Sequence, residues 1–435
     1  MVCAIHWIMR EDLLHFIWKY KKLQLENLKG SNNEIIQILD VGSHNLLSGP
    51  DFFNARIRID EQLWAGTVEM HIKSSDWYAH HHELDPNYQN VILHVVWEDD
   101  CDVFRSDNTV VPTLVLKDYI PSGLLKEYQK LFSRKERLFI NCGTGIGTTS
   151  DFVLQNWLEV LYFERLESKT QLVAQLLEDS NNDWERVFFV LLSKNFGLKI
   201  NGGSFVEIAN RLPFHVVRKI QGNTLQMESL LYGFAGFLDD TILGDNYYSG
   251  LQREFTFLKA KFHLPDPPQQ KPEFFKLRPS NFPTIRLSQL ANLYGLHQNL
   301  FSRVINAKGV GEIYSVFKVA ASEYWDNHYT FGKVSDKHSK KLTRKFVDLL
   351  IVNTVLPIKL GYAKHRGRDV PEEILDIISV LASESNTVVS KFKTLNVQFP
   401  SAKESQAIIQ LYNEYCTKNK CLQCAVGHQL LNRKP

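Results

Sequence analysis

Residues 52–98 carry the strongest constraint on the fold. FFNARIRID alternates apolar Phe53, Ala55, Ile57 and Ile59 with polar Asn54, Arg56, Arg58 and Asp60, the period of a strand with one wet face. After a short turn at Glu61 and Gln62, LWAGTVEMHIK alternates again. YQNVILHVVWE, Tyr88 to Glu98, is instead a β-branched and mostly apolar run, the pattern of a strand covered on both faces. The three runs together describe a mixed sheet.

The surrounding segments complete it. EDLLHFIWKYKKL, Glu11 to Leu23, has the spacing of an amphipathic helix, and IIQILDVG reads as a strand ending at Gly42. Ser43 to Pro50 is a turn-rich loop. SSDWYAHHHELD reads as a short helix capped by Ser75 or Asp76, and VVPTLVL as a further strand. From about Pro121 wide apolar faces at helical spacing take over, as in FVLQNWLEVLYFERLESKTQLVAQLLE and DWERVFFVLLSKNF. The expectation is an α+β chain: an α/β domain over 1–120, then a mainly helical domain over 121–435 ending in a cysteine motif.

Composition narrows the setting. With 44% hydrophobic and 23% charged residues, the 435-residue chain has the make-up of an ordinary water-soluble protein with room for two or three domains. Apolar runs fall short of the roughly eighteen residues of a membrane span, and MVCAIHWIMRED is too short and poorly flanked for a secretory signal. Six cysteines make no disulfide scaffold. A cytoplasmic protein with reduced thiols and no membrane partner is expected. A net charge of +2 says nothing about partners, and the oligomeric state stays open. The sequence has no Walker-type P-loop, no dinucleotide fingerprint and no Gly-x-Ser-x-Gly elbow.

Glu69, His71 and Lys73 are spaced by two, so a strand points all three to one face in steps of about 6.5–7 Å. Asp51 follows a Gly-Pro turn at the start of the preceding strand, and a hairpin brings it beside them. Two carboxylates from neighbouring strands suit Mg²⁺ or Mn²⁺, which polarises a phosphoryl oxygen and acidifies water. A nearby Lys or His orients that water, and Glu11 offers a third carboxylate.

This order of elements, with Pro50-Asp51 and then Glu69 in a Glu-x-Lys-like strand, resembles the PD-(D/E)XK, restriction-endonuclease-like nucleases. The resemblance covers about the first 120 residues. It implies that Asp51 and Glu69 bind Mg²⁺ and that a basic group assists the attacking water. The departure is at that group: His71 stands where the lysine is expected, and Lys73 follows two residues later.

His71, His80, His81, His82 and His94 crowd a short span, and imidazole is a common ligand of Zn, Mn and Fe. His80 and His82 with Asp85 offer one centre, although consecutive histidines on a helix point in different directions. A His/carboxylate metallohydrolase is therefore an alternative. Near the C-terminus Cys416, Cys421 and Cys424 form C-x4-C-x2-C, with Cys142 or His428 as a fourth ligand for Zn²⁺ or an iron–sulfur cluster. The proline-rich loop Pro265–Pro283 leads into FFKLRPSNFPTIRLSQLA, where Lys276, Arg278, Asn281, Phe282 and Arg286 interleave cations and an aromatic as nucleic-acid contacts do.

GPDFFNARI, GTVEMHIKSSDW, NVILHVVWE, RPSNFPTIRLSQLA and CLQCAVG together look like a bacterial family known as domain of unknown function 2851, over nearly the full chain. That likeness implies no activity. The expected function is metal-dependent hydrolysis of nucleic-acid phosphodiesters. The rival is a non-catalytic nucleic-acid-binding or scaffold protein that keeps the fold.

Overall fold

The structure, a computed structural model, describes residues 9–132, 138–239 and 245–432. The chain forms two compact units. One comprises Met1–Trp157, Thr394–Val397 and Leu411–Pro435; the other comprises Leu158–Lys393 and Gln398–Gln410. The division thus falls after Trp157 rather than after residue 120, and the C-terminal cysteine segment belongs with the sheet rather than with the helices.

In the first unit, α1 (Glu11–Lys19) buries Leu13, Leu14, Phe16, Ile17 and Trp18 and packs against the sheet. It ends earlier than Leu23 because Lys21 takes a left-handed conformation, φ 49°. The sheet follows as β1 (Leu28–Lys29), β2 (Ile35–Asp40), β3 (Ser43–His44), β4 (Phe52–Ile59), β5 (Gln62–Lys73), β6 (Val91–Glu98) and β7 (Thr113–Val115). Their order in space is β1-β2-β4-β5-β6-β7, with β3 paired to β4. Pairs up to β4·β5 are antiparallel, whereas β6 and β7 run parallel to β5. Val91 to Val96 are buried at every position, as the apolar run requires.

One local feature departs from simple alternation. Between Phe52 and Ala55 the β4·β5 register shifts, and Asn54 sits at φ 59°. The bulge turns both Phe52 and Ala55 into the core, each 0% exposed, and leaves Phe53 37% exposed. Phe53 is therefore not the inward residue its alternation suggests. The same bulge lies next to Asp51.

The chain crosses from β5 to β6 through α2 (Asp76–Ala79), which is shorter than its sequence suggests. His80 closes it, and His81 is left-handed at φ 60°. His80 and His82 are thus not on a helix, and the argument that neighbouring histidines diverge does not hold for them. Beyond the sheet come α3 (Ser122–Phe132) and α4 (Asp151–Asp179). The terminal helix Ala425–Leu431 packs on α3, and the turn Cys421–Gln423 packs on α1.

Among the described residues, the second unit is mainly helical, with the short hairpin His328–Thr330 and Lys333–Val334. Its interior holds polar networks, such as Glu228 accepting hydrogen bonds from Ser288, Ser322 and Tyr247. The stretch Arg344–His365 is long and apolar enough to cross a membrane, with mean hydropathy 1.5 over its best window, but 78% of that window is buried inside the protein.

A histidine–carboxylate cluster and the adjoining cleft

Asp51 is aimed by the loop before it. Gly49 at φ 98° makes a turn that residues with side chains rarely adopt. Asn45 stitches the loop: its Nδ2 donates to the Leu47, Ser48 and Pro50 carbonyls at 3.1 Å, and its backbone N–H donates to the Asp51 carbonyl at 2.7 Å. The two carboxylates are then locked across β4 and β5. The Asp51 N–H donates to Glu69 Oε2 at 3.1 Å, and the Met70 N–H donates to Asp51 Oδ2 at 3.0 Å.

The other Glu69 oxygen faces imidazoles. Oε1 lies 3.4 Å from His71 Nε2 and 3.3 Å from His82 Nε2, and His71 Nε2 lies 3.1 Å from His80 Nδ1. Among the described residues, His71, His80 and His82 are the group whose donor atoms meet within 4.8 Å. Ligands bound at about 2.1 Å stand roughly 3.0–3.4 Å apart at octahedral or tetrahedral angles, so the three imidazoles are close enough to share one ion, with Glu69 beside two of them. Asp85, offered as a partner for these histidines, instead caps the turn Pro86–Tyr88 by accepting from Asn87.

Behind the cluster, His71 Nδ1 is 2.9 Å from Nε2 of His94, the residue paired with Glu69 across β5·β6. Such a bond fixes the ring and tautomer of a ligating imidazole. His82 stacks on Tyr88 at 3.7 Å between ring centres, and Trp77 meets both His82 and His94. In front, His15 on α1 brings Nε2 to 3.2 Å from Asp51 Oδ2.

Burial sets the electrostatics. Glu69, 5% exposed, is pushed up to about 9, first by desolvation and then by the Asp51 charge. Desolvation, then neighbouring imidazoles, pulls His71 down to about 2 and His94 to about 3. Glu11 is raised by burial and by Asp51, which places its carboxyl at the same cluster. His15 is raised because its bond to Asp51 and the surrounding carboxylates outweigh the opposing desolvation. His82 Nε2 and His94 Nδ1 are buried without a hydrogen-bond partner. In sum, a buried carboxyl whose proton is held by desolvation faces His71 and His82, imidazoles that burial keeps from protonation, and a cation that displaced the carboxyl proton would find oxygen and nitrogen donors there.

Beside His15 opens a cleft lined by Arg10, Lys19, His44, Lys418 and Lys420, with the rings of Phe16 and Tyr20. Arg10 also pairs with Asp12, and Lys418 with Glu414.

The anticipated residues fare differently. Asp51, Glu69, His71 and Glu11 come together, with His71 Nε2 3.4 Å from Glu69 Oε1. Lys73 does not join them: it is exposed at the end of β5, where its charge acts on Asp100. Cys142, Cys416, Cys421 and Cys424 line one small cavity. His428 faces elsewhere, bonded to the Leu422 carbonyl and packed on Phe16 and Tyr20. The nucleic-acid strip in the second unit is only partly free. Lys276 and Arg278 are exposed, but Arg286 is a buried structural cation, 3.6 Å from the Phe346 ring and bonded to Gln289 and Asn281. Asn281 Oδ1 accepts from Arg286 Nη2 at 2.6 Å, and Phe282 packs edge-on against Phe274. His15 and Asn45 were not singled out as site residues from sequence, whereas His94 was counted among the clustered histidines. His15 follows Glu11 by four residues on one helix face, and that spacing was the available signal.

Comparison with known proteins adds a family but no activity. A family model described as "Protein of unknown function (DUF2851)" matches residues 11–387, and the chain belongs to that family. No curated protein and no solved structure matches.

Proposed function

We propose that this family member is a metal-dependent hydrolase of nucleic-acid phosphodiesters. The observation that carries the reading is the set of donor atoms Glu69 Oε1, His71 Nε2, His80 Nδ1 and His82 Nε2, with contacts of 3.1–3.4 Å, next to a basic cleft. The order helix, three antiparallel strands, short helix, parallel strand supports a kinship with restriction-endonuclease-like nucleases. Three imidazoles beside a carboxylate favour a transition ion such as Zn²⁺ or Mn²⁺ over the Mg²⁺ that two carboxylates alone suggest. The ion, when bound, would polarise a phosphoryl oxygen and lower the pKa of water.

The chain's own groups do the rest. Arg10, Lys19, Lys418 and Lys420 hold the phosphate backbone along the cleft. Asp51, 3.2 Å from His15 Nε2, favours the protonated form of that imidazole and orients it beside the cleft, where it would act as a proton donor once substrate displaced the Asp51 contact. His94 fixes His71, and Glu11 adds negative charge at the ion's side of α1. The three histidines also support a second reading, a His/carboxylate metallohydrolase acting on a smaller phosphodiester.

The test incubates single- and double-stranded DNA and RNA, and a small chromogenic phosphodiester, with Mg²⁺, Mn²⁺ or Zn²⁺. Wild type is compared with Glu69→Gln and Asp51→Ala. Cleavage that needs Mn²⁺ or Zn²⁺ and is lost in both variants supports the proposal. Cleavage of the small ester alone selects the second reading, and cleavage indifferent to both substitutions sinks both.

A further inference from the structure

We propose that Cys142, Cys416, Cys421 and Cys424 are the four ligands of a thiophilic metal centre, a zinc ion or an iron–sulfur cluster, that fixes one wall of the basic cleft. The convergence is the first ground. Cys142 is far in sequence from the other three, yet all four line one cavity with Leu411, Tyr415 and Val426. Their sulfurs do not meet at a point as the imidazoles do. They stand around a small cavity, and binding a metal centre would draw them together.

The backbone around them is the second ground. Cys142 lies in a turn in which its carbonyl accepts from the Gly145 and Ile146 N–H groups at 2.9 and 2.8 Å. Cys421 opens a tight turn, and the Cys424 N–H donates back to the Cys421 carbonyl at 3.3 Å. Gly427 is required beside it, because a Cβ there would meet the Cys421 oxygen at 2.0 Å. N–H donors also point at sulfur: Asn141 Nδ2 is 3.5 Å from Cys421 Sγ, and the Val426 and Gly427 amides face Cys424. A buried free thiol packs as a small hydrophobe and has little use for such donors, whereas a metal thiolate is tuned by them.

Burial and mutual proximity favour protonated thiols in the absence of metal, with Cys421 pushed up to about 11. Metal binding reverses this. Each thiol releases its proton to solvent as its metal–sulfur bond forms, with no change of oxidation state for zinc. Between Cys416 and Cys424 run Lys418, Asn419, Lys420, Leu422 and Gln423, all of which line the cleft next to His15. A centre that clamps both ends of this segment, and ties it to Asn141, sets the position of the cleft's cations.

The test uses the full chain purified without oxygen, with metal and sulfide analysis, absorbance, thiol alkylation and amide hydrogen exchange. The expected result is about one zinc per chain without colour, or iron with acid-labile sulfide and a visible band. Metal removal should expose the four thiols to alkylation and speed exchange across Lys418–Gln423. Cys101, bonded instead to Ser74, is the control: Cys101→Ser keeps the metal and Cys421→Ser loses it. Should Cys421→Ser fail to fold, Co²⁺ added to the metal-free wild type should give a thiolate charge-transfer band. Wild type that is metal-free and binds none of Zn²⁺, Co²⁺ or reconstituted iron overturns the proposal, as does metal retained in folded Cys421→Ser. No readout uses cleavage, so this outcome is separate from that of the hydrolase reading.

Discussion

The first unit holds two clusters of metal-donor side chains, built in opposite ways. The histidine–carboxylate cluster draws its donors from neighbouring elements, β5 and the crossover that follows it, and His80 keeps one side exposed. The thiol cluster joins a turn near residue 142 to the C-terminal segment and sits among mostly apolar walls, with Cys424 buried. Nitrogen and oxygen donors with an open side suit a centre that exchanges water and substrate. Sulfur donors in a closed site suit one that holds chain segments together. If both proposals hold, the same unit separates a reactive site from a fastening, and the cleft lined by Lys418 and Lys420 serves both.

The contrast can be broken at either end. The largest effect is expected from Glu69→Gln, which should lower Mn²⁺-dependent cleavage by on the order of 10²–10³-fold while leaving the content of the thiol-bound metal unchanged. Quantitative cleavage assays with metal analysis check both halves. Next, Cys421→Ser should lower the thermal midpoint by about 10 °C, as loss of a structural metal worth several kcal/mol implies. Calorimetry that finds no shift would make the thiol cluster as dispensable as any surface feature.

His94→Gln tests the support behind the reactive site. It should weaken Mn²⁺ binding by roughly 10–100-fold, read by titration calorimetry. The pH response of the metal-free chain follows from the same groups. His71 and His94 stay neutral in the folded chain, down to about 2 and about 3, but take a proton near 6.5 when unfolded. The unfolded state therefore binds more protons below pH 6.5, and stability falls as pH drops through that range toward the folded values. Glu69 acts in the opposite direction: folded, it keeps its proton up to about 9, so its burial costs stability as pH rises from 4.5 toward 9. Urea unfolding of metal-free protein should show an acid slope that is shallower in His94→Gln, and bound Mn²⁺ should relieve the alkaline cost. The smallest effect belongs to Lys73→Ala. With its side chain exposed at the strand end, cleavage should change by no more than about twofold, the range of an exposed surface charge.

Much of the sheet was legible because strand period is a local property. Ile35–Asp40, the β4–β5 hairpin and the buried run Val91–Glu98 all stand where alternation or its absence put them. What local pattern missed were single left-handed residues. Asn54 shifts the face of Phe52, and His81 ends α2 and turns His80 and His82 toward His71. Each costs little in a short polar side chain and leaves no periodic trace. Arg286 was misread for a related reason: a cation among aromatics looks alike whether it waits for phosphate or stacks on Phe346.

Residue order alone was enough to settle that the chain is α+β, that Glu69 and His71 share a face, and that Cys416, Cys421 and Cys424 lie close together. These follow from spacings of a few residues, over which backbone geometry is rigid. Three-dimensional packing had to decide that His71 rather than Lys73 meets Glu69, that Cys142 rather than His428 faces the other thiols, and that the C-terminal segment packs beside α1 and α3. Those choices depend on which buried polar groups find partners across long stretches of chain, and no local period records that.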